Sequence, residues 1–83
     1  MDTTTETIYR TSDLYVAAWL LLNGLALEKV DHSDQRRCTF IFEDQPDRPQ
    51  LVHEFLHGSA VGNVVDFTYS LRKVKRLLYS GEE

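Results

Sequence analysis

The sequence predicts a small α+β domain that combines an antiparallel hairpin with three helices, in the order (β)-α-β-β-α-α. Three observations predict this class. Residues 14–22 are apolar at almost every position, which is typical of a buried helix. Residues 37–43 are rich in β-branched and aromatic side chains, which favour a strand. Residues 63–79 repeat apolar side chains at helical spacing.

The first helix is expected to run from Asp13 to about Asn23. Residues 11–13 offer hydroxyl and carboxylate groups for its N-cap, and Gly24 suits a left-handed stop. Because this helix is apolar nearly all round, it must be the central core element or bury part of its surface against a second subunit.

The strands are expected to form one hairpin. Residues 25–30 and 37–43 are the predicted strands, joined by the polar turn residues 31–36. Residues 8–10 are either a third short strand or an extended lead-in. Both prolines lie within residues 44–49, which end the strand pattern.

Two further helices follow. The second is expected from residue 48 or 49 to His57, before Gly58, and the third from about Asn63 to Tyr79. We expect the first helix to cover the sheet and the other two to flank it.

Composition predicts a soluble, cytoplasmic protein. The single cysteine, Cys38, excludes an internal disulfide, and the longest apolar run is far shorter than the about 20 residues of a membrane span. The first eight residues are acidic and rich in threonine, unlike a signal peptide. The expected organisation is a flexible tail over residues 1–7, one domain over 8–80 and a tail over 81–83.

The stretch HEFLHG matches H-E-x-x-H, the helical zinc motif of metalloproteases. His53 and His57 would share the metal, and Glu54 would act as general base. The extended motif requires glycine at position 60 and histidine or aspartate at position 63, whereas this chain has Ala60 and Asn63. A zinc hydrolase is therefore the remote alternative.

A helical wheel also argues against a catalytic centre. At about 100° per residue, the motif side chains fall opposite an apolar face formed by Leu51, Val52, Phe55 and Leu56. We therefore predict exposed histidines, no catalytic residue and no cofactor. If a metal ion binds, its ligands are His53 and His57, held adventitiously.

The third helix carries four of the nine basic residues within five positions. Val64, Phe67, Leu71, Val74 and Leu78 form an apolar stripe. The other side carries Arg72, Lys73, Lys75 and Arg76, with Tyr69 and Tyr79 among them. Cations with aromatic rings between them are what a surface that follows phosphates needs. A solvated face near the helix C-terminus and an acidic protein partner remain the alternatives.

Other residues extend these alternatives. Arg36 and Arg37 would enlarge the basic surface if the hairpin turn lies beside the third helix. Tyr15 and Trp19 would lie at the interface of a homodimer. Cys38 is interpreted as a buried small hydrophobe, since a nucleophile would need a nearby histidine and His32 across the hairpin is the plausible one.

Three segments resemble a family of short uncharacterised prokaryotic and phage-associated proteins. They are YRTSDLYVAA at residues 9–18, RCTFIFED at 37–44 and LRKVKRLLY at 71–79. In that family a T-S-D-L helix start leads to an F-x-F-E-D strand end and a Leu/Lys-rich closing helix. The resemblance spans about residues 9–79 and implies a compact α+β domain. It implies no catalytic residues, and HEFLHG is not part of its pattern.

The sequence therefore favours a non-enzymatic binding module. Nucleic acid is the preferred partner, contacted through the basic side of the third helix. Protein interaction or homo-oligomerisation is the alternative, and neither a membrane nor a small-molecule substrate is expected.

Overall fold

The computed structural model describes residues 8–34 and 36–79, which form three strands and three helices. The predicted tails over residues 1–7 and 81–83 lie outside the described residues. In chain order the elements are β1 (Ile8–Thr11), α1 (Leu14–Leu22), β2 (Leu27–Asp34), β3 (Arg37–Glu43), α2 (Arg48–Leu56) and α3 (Val64–Tyr79). The α+β class and the predicted order are confirmed, and the N-terminal segment is a strand.

The three strands form one antiparallel sheet in the order β1-β3-β2. The apolar strand β3 takes the centre, where both of its edges are paired. Because side chains alternate across a strand, Phe40 and Phe42 point into the core while Ile41 lies on the opposite face. Arg10 and Lys29 are the register partners of Ile41 on that outer face.

Strand β2 corrects the predicted hairpin boundaries, because it begins at Leu27 rather than Leu25 and continues to Asp34. Its residues are mostly polar, and its pairing with β3 is irregular between Asp31 and Asp34. The Asp31 carboxylate accepts a hydrogen bond from the Ser33 amide at 2.9 Å, so a backbone group at this irregularity is satisfied locally. Leu25 is instead a core residue before the strand.

Helix α1 is the central core element. Asp13 caps it, since its Oδ1 atom accepts hydrogen bonds from the amides of Tyr15 at 2.9 Å and Val16 at 3.1 Å. Residues 16–20 are all buried, because the sheet, α2 and α3 surround the helix. The core cluster comprises Val16, Ala17, Ala18, Leu20, Leu25, Phe40, Phe42 and Val74.

Trp19 joins the three helices, which corrects its predicted place at a dimer interface. Its indole N–H donates to the backbone oxygen of Leu51 at 3.1 Å. Its ring stacks on Phe55 with 5.7 Å between centroids, and Phe55 in turn lies 6.1 Å from Phe67. Only 6% of Trp19 is exposed, so it offers almost no surface to a partner.

Two residues assigned to apolar helix faces are exposed instead. Leu56 is the last residue of α2 and Val64 the first of α3, and they are 61% and 77% exposed. Both lie at a helix end next to the loop that joins α2 to α3, and a helical wheel does not show exposure at helix ends. Within the described residues, no helix is long and apolar enough to cross a membrane.

Candidate functional site

The H-E-x-x-H histidines lie at the end of α2 with exposed side chains. The imidazoles of His53 and His57 stack with 4.1 Å between ring centroids. Nδ1 of His57 lies 2.9 Å from the backbone oxygen of His53, so its Nε2 atom is the nitrogen left open to a metal ion. The Glu54 carboxylate accepts a hydrogen bond from Gln50 at 3.0 Å.

Two histidines on one helix supply only part of a zinc site, which takes at least three protein ligands. Among residues 8–34 and 36–79, no three His, Cys, Asp or Glu side chains come together as a metal site. Asn63 stands where the extended motif would place a third ligand. Its side chain instead caps α3, accepting a hydrogen bond from the Asp66 amide at 3.0 Å.

The exposed cations of α3 form what we call the basic face: Arg72, Lys73, Lys75 and Arg76. The opposite side of the helix is anchored in the core by Val74, which is fully buried. Within the described part of the chain, the ion pair that forms is Arg48 with Asp44, on another element. The four cations of the basic face therefore keep their charge available to a ligand.

A groove of about 500 Å³ connects the hairpin turn to the C-terminal end of α3. Arg36 and Arg37 line one side, and Leu78 and Tyr79 line the other. The hairpin turn therefore lies beside α3. This is the condition under which Arg36 and Arg37 were expected to extend the basic surface. For brevity we call it the arginine groove.

Tyr69 occupies the other flank of the basic face and is 63% exposed. The Arg72 guanidinium lies 5.9 Å from its ring centroid, within cation–π range. Tyr69 and Lys73 also line a shallow groove of about 360 Å³ together with Leu21 and Leu22 of α1. The aromatic ring is thus held beside two cations and remains accessible.

Charge is distributed unevenly over the described residues. They contain all nine basic residues and nine of the thirteen acidic ones, so their formal charge is balanced. Helix α3 carries four cations and one carboxylate, Asp66 in its first turn. Helix α3 is therefore positively charged, although the whole chain has a net charge of −4.

Cys38, which lines the arginine groove, lies close to a histidine. The Sγ atom of Cys38 lies 3.1 Å from Nδ1 of His32 across the hairpin. Cys38 is half-buried rather than buried, so the interpretation as a core hydrophobe was incomplete. The histidine that a nucleophilic role would require is present.

Sequence reasoning missed an exposed apolar patch at the junction of α2 and α3. We define the apolar patch as Leu56, Val61, Val64 and Val65, which are 61 to 90% exposed. It borders a cavity of about 180 Å³ that Val64 lines together with Trp19 and Phe55. In the sequence this patch corresponds to Val61, Val64 and Val65 beside Gly62. Without knowledge of their exposure, these residues indicate only a loop and the start of a helix.

The loop between β3 and α2 holds an ion pair that joins it to the start of α2. The Arg48 guanidinium donates to both oxygens of Asp44, at 3.0 and 3.2 Å, and lies 4.1 Å above the Tyr9 ring. These hydrogen bonds lower the pKa of Asp44 and raise the pKa of Arg48, although partial burial opposes both shifts. The contact between Asp44 and Arg48 therefore gives this loop a structural role.

Comparison with known proteins gives a family and no activity. No curated protein and no solved structure matches the chain. The model of one family, described as a domain of unknown function, DUF5659, matches residues 6–80. That span includes every element of the fold, both candidate basic regions and the Cys38–His32 pair. The chain therefore belongs to the DUF5659 family.

Proposed function

We propose that this domain is a small non-enzymatic module that binds nucleic acid through the basic face of α3. The observation that carries the proposal is the set of four exposed cations without a carboxylate partner among the described residues. Arg36 and Arg37 add two cations at the end of the same helix.

Geometry and charge support a sequence-independent contact with phosphates. From Arg72 to Arg76 the helix rises about 6 Å, a distance over which duplex DNA carries roughly three phosphate charges. Asp31 is the register partner of Thr39, and Glu43 lies on β3 itself. Because Thr39, Ile41 and Glu43 share one face of the strand, both carboxylates belong to the sheet face away from the helices. Nucleic acid on α3 would therefore meet the positive side of the domain.

The test is a titration of labelled single-stranded and double-stranded oligonucleotides. If three or four phosphates are contacted, affinity should fall at least about tenfold between about 50 and 200 mM salt. The double variant Arg72→Gln/Arg76→Gln should weaken binding equally for all sequences and flatten the salt dependence. Tyr69→Ala should weaken single strands more than duplexes, because only unpaired bases can stack on the ring.

A matched control separates local contact from net charge. Arg10→Gln/Lys29→Gln removes the same charge from the outer sheet face. It should leave affinity within about twofold, since exposed charges beyond a Debye length are screened. Equal losses in both double variants, or no binding at about 50 mM salt with tens of micromolar protein, would contradict the proposal.

The apolar patch favours a second candidate, self-association. The four exposed aliphatic side chains lie close in sequence at the junction of α2 and α3, and exposed apolar surface of this kind can mark an interaction site. Leu56, Val61, Val64 and Val65 come from one helix end, one loop and one helix start, and a second copy of this chain would present the same apolar surface. A C2 dimer buries one such patch against its copy, so the mass of the protein in solution tests this candidate.

A further inference from the structure

Cys38 and His32 are neighbours on the helix-facing side of β2 and β3. Cys38 has the same strand parity as Phe40 and Phe42, both core residues, so its side chain lies on the side of the sheet that the helices cover. It is partly accessible and lines the arginine groove together with Leu78 and Tyr79 of α3. The thiol thus combines a fixed base, partial exposure and a route to solvent.

The groove around the thiol is positively charged. Its described lining comprises Ser12, Leu14, Arg36, Arg37, Cys38, Phe40, Leu78 and Tyr79, and includes no carboxylate. Neither arginine has an ion-pair partner among the described residues. The two arginines give the groove positive charge, which attracts anionic reagents.

We propose that Cys38 is a reactive thiol whose modifying reagents are small disulfides that carry carboxylates. His32 acts as the base and the arginine groove selects for the negative charge. This site shares Arg36 and Arg37 with the proposed nucleic-acid surface, but the reaction of the thiol does not depend on nucleic-acid binding.

The proposed step is thiol–disulfide exchange. The proton of the Cys38 thiol passes to Nδ1 of His32, which must then be the tautomer protonated on Nε2. The thiolate attacks one sulfur of the disulfide, the reagent's S–S bond breaks as the new Sγ–S bond forms, and the other half leaves as a thiolate. Cys38 is oxidised to a mixed disulfide, the departing half is reduced, and solvent removes the proton from His32.

The experiment measures the rate at which the folded protein reacts with an anionic aromatic disulfide, dithiobis(nitrobenzoate), at neutral pH. Because the chain contains one cysteine, every released nitrothiobenzoate reports Cys38, and Cys38→Ser gives the blank. We expect the folded chain to react faster than the same chain unfolded in urea. A slower reaction in the folded state would identify an ordinary, partly shielded thiol and overturn the proposal.

His32→Asn tests the base. Thiolate makes up only a few per cent of an ordinary thiol at neutral pH, so loss of the base should slow the reaction by about tenfold. Circular dichroism establishes whether the variant is folded. If it is not, the comparison of folded with unfolded wild-type protein still tests the proposal. An unchanged rate in a folded variant would remove His32 from the mechanism as proposed.

Charge selection is tested with Arg36→Gln/Arg37→Gln and a neutral disulfide, dithiodipyridine. The double variant should slow the anionic reagent by at least about threefold and leave the neutral reagent nearly unchanged. Arg10→Gln/Lys29→Gln removes equal charge from the outer sheet face and should affect neither reagent. Equal slowing of both reagents by the arginine variant would contradict a groove that selects anions.

Discussion

Gly62 lies close to Trp19, whose ring stacks on Phe55. A Cβ atom at this position would lie 3.1 Å from Cζ3 and 3.5 Å from Cη2 of Trp19. The indole cannot easily move aside, because it donates to Leu51 and stacks on Phe55. The glycine is therefore needed for close packing rather than for an unusual backbone conformation.

Gly62→Ala should lower the free energy of unfolding by about 1–3 kcal/mol, the usual cost of overpacking a core. Since Trp19 is the one tryptophan, its fluorescence in the native state should change as well. Urea denaturation followed by tryptophan emission measures both effects.

Gly58→Ala is the matched control. Nothing lies within 4 Å of the added Cβ atom, but the backbone has a φ of +77°, so the alanine should cost about 1–2 kcal/mol through backbone strain. The native emission of Trp19 should not change. A shifted spectrum in Gly58→Ala, or an unshifted one in Gly62→Ala, would contradict the packing argument.

At the scale of elements, the loop from β3 to α2 is fixed by Asp44 and Arg48. Asp47 occupies the N-cap position of α2, but its side chain makes no capping hydrogen bond. The contact between Arg48 and the Tyr9 ring also ties α2 to β1. This arrangement makes stability depend on pH.

The pKa of Asp44 is lowered from its ordinary value of 3.8, chiefly by the Arg48 hydrogen bond. A carboxylate with a depressed pKa stabilises the fold above its unfolded-state pKa, and that contribution is lost as pH falls through the folded-state pKa. Asp44→Asn should therefore reduce stability by about 1 kcal/mol at neutral pH. The difference from wild type should shrink at pH values below about 4.

Denaturation across this pH range measures the effect. Asp47→Asn removes the same charge from the same loop without losing a side-chain cap, and should change stability by less than about 0.5 kcal/mol. A constant difference between wild type and Asp44→Asn from neutral to acid pH would show that the carboxylate charge is not responsible.

An element could be predicted from the sequence when the residues that specify it are close together in the chain. Strand β3 runs from Arg37 to Glu43 as predicted, because its own aromatic and β-branched residues specify it. Helix α1 is bounded by Asp13 and Gly24, whose capping and left-handed conformations are local properties. These features follow from short stretches of chain.

Strand β2 could not be bounded in this way, because tertiary pairing with β3 overrides its polar composition. The arginine groove joins residues from the hairpin and the end of α3, which are far apart in sequence. The exposure of Leu56 and Val64, at the two helix ends that flank one loop, likewise depends on how the helices pack. These features required the packing of whole elements.

At the scale of the molecule, the domain is a thin two-layer structure of 36 × 31 × 18 Å. Its helices cover one face of the sheet, and charged side chains cover most of the other. A domain of this size has a limited core, and the four aliphatic residues of the apolar patch are left exposed. Their burial by a second copy would add stability.

The last prediction is that the domain dimerises through the apolar patch. Sedimentation equilibrium should show a concentration-dependent increase towards twice the monomer mass of 9.6 kDa. Val65→Asp should abolish this increase, because each interface would bury two unpaired carboxylates. Since Val65 is 61% exposed, the monomer should stay folded.

Tyr15→Asp distinguishes this surface from the one suggested by α1. Tyr15 is 53% exposed at the start of that helix, so its replacement also places a charge on an exposed aromatic position. If the apolar patch is the interface, Tyr15→Asp remains dimeric while Val65→Asp is monomeric. The reverse result would move the interface to α1, and a monomeric wild-type protein at high concentration would reject self-association by either surface.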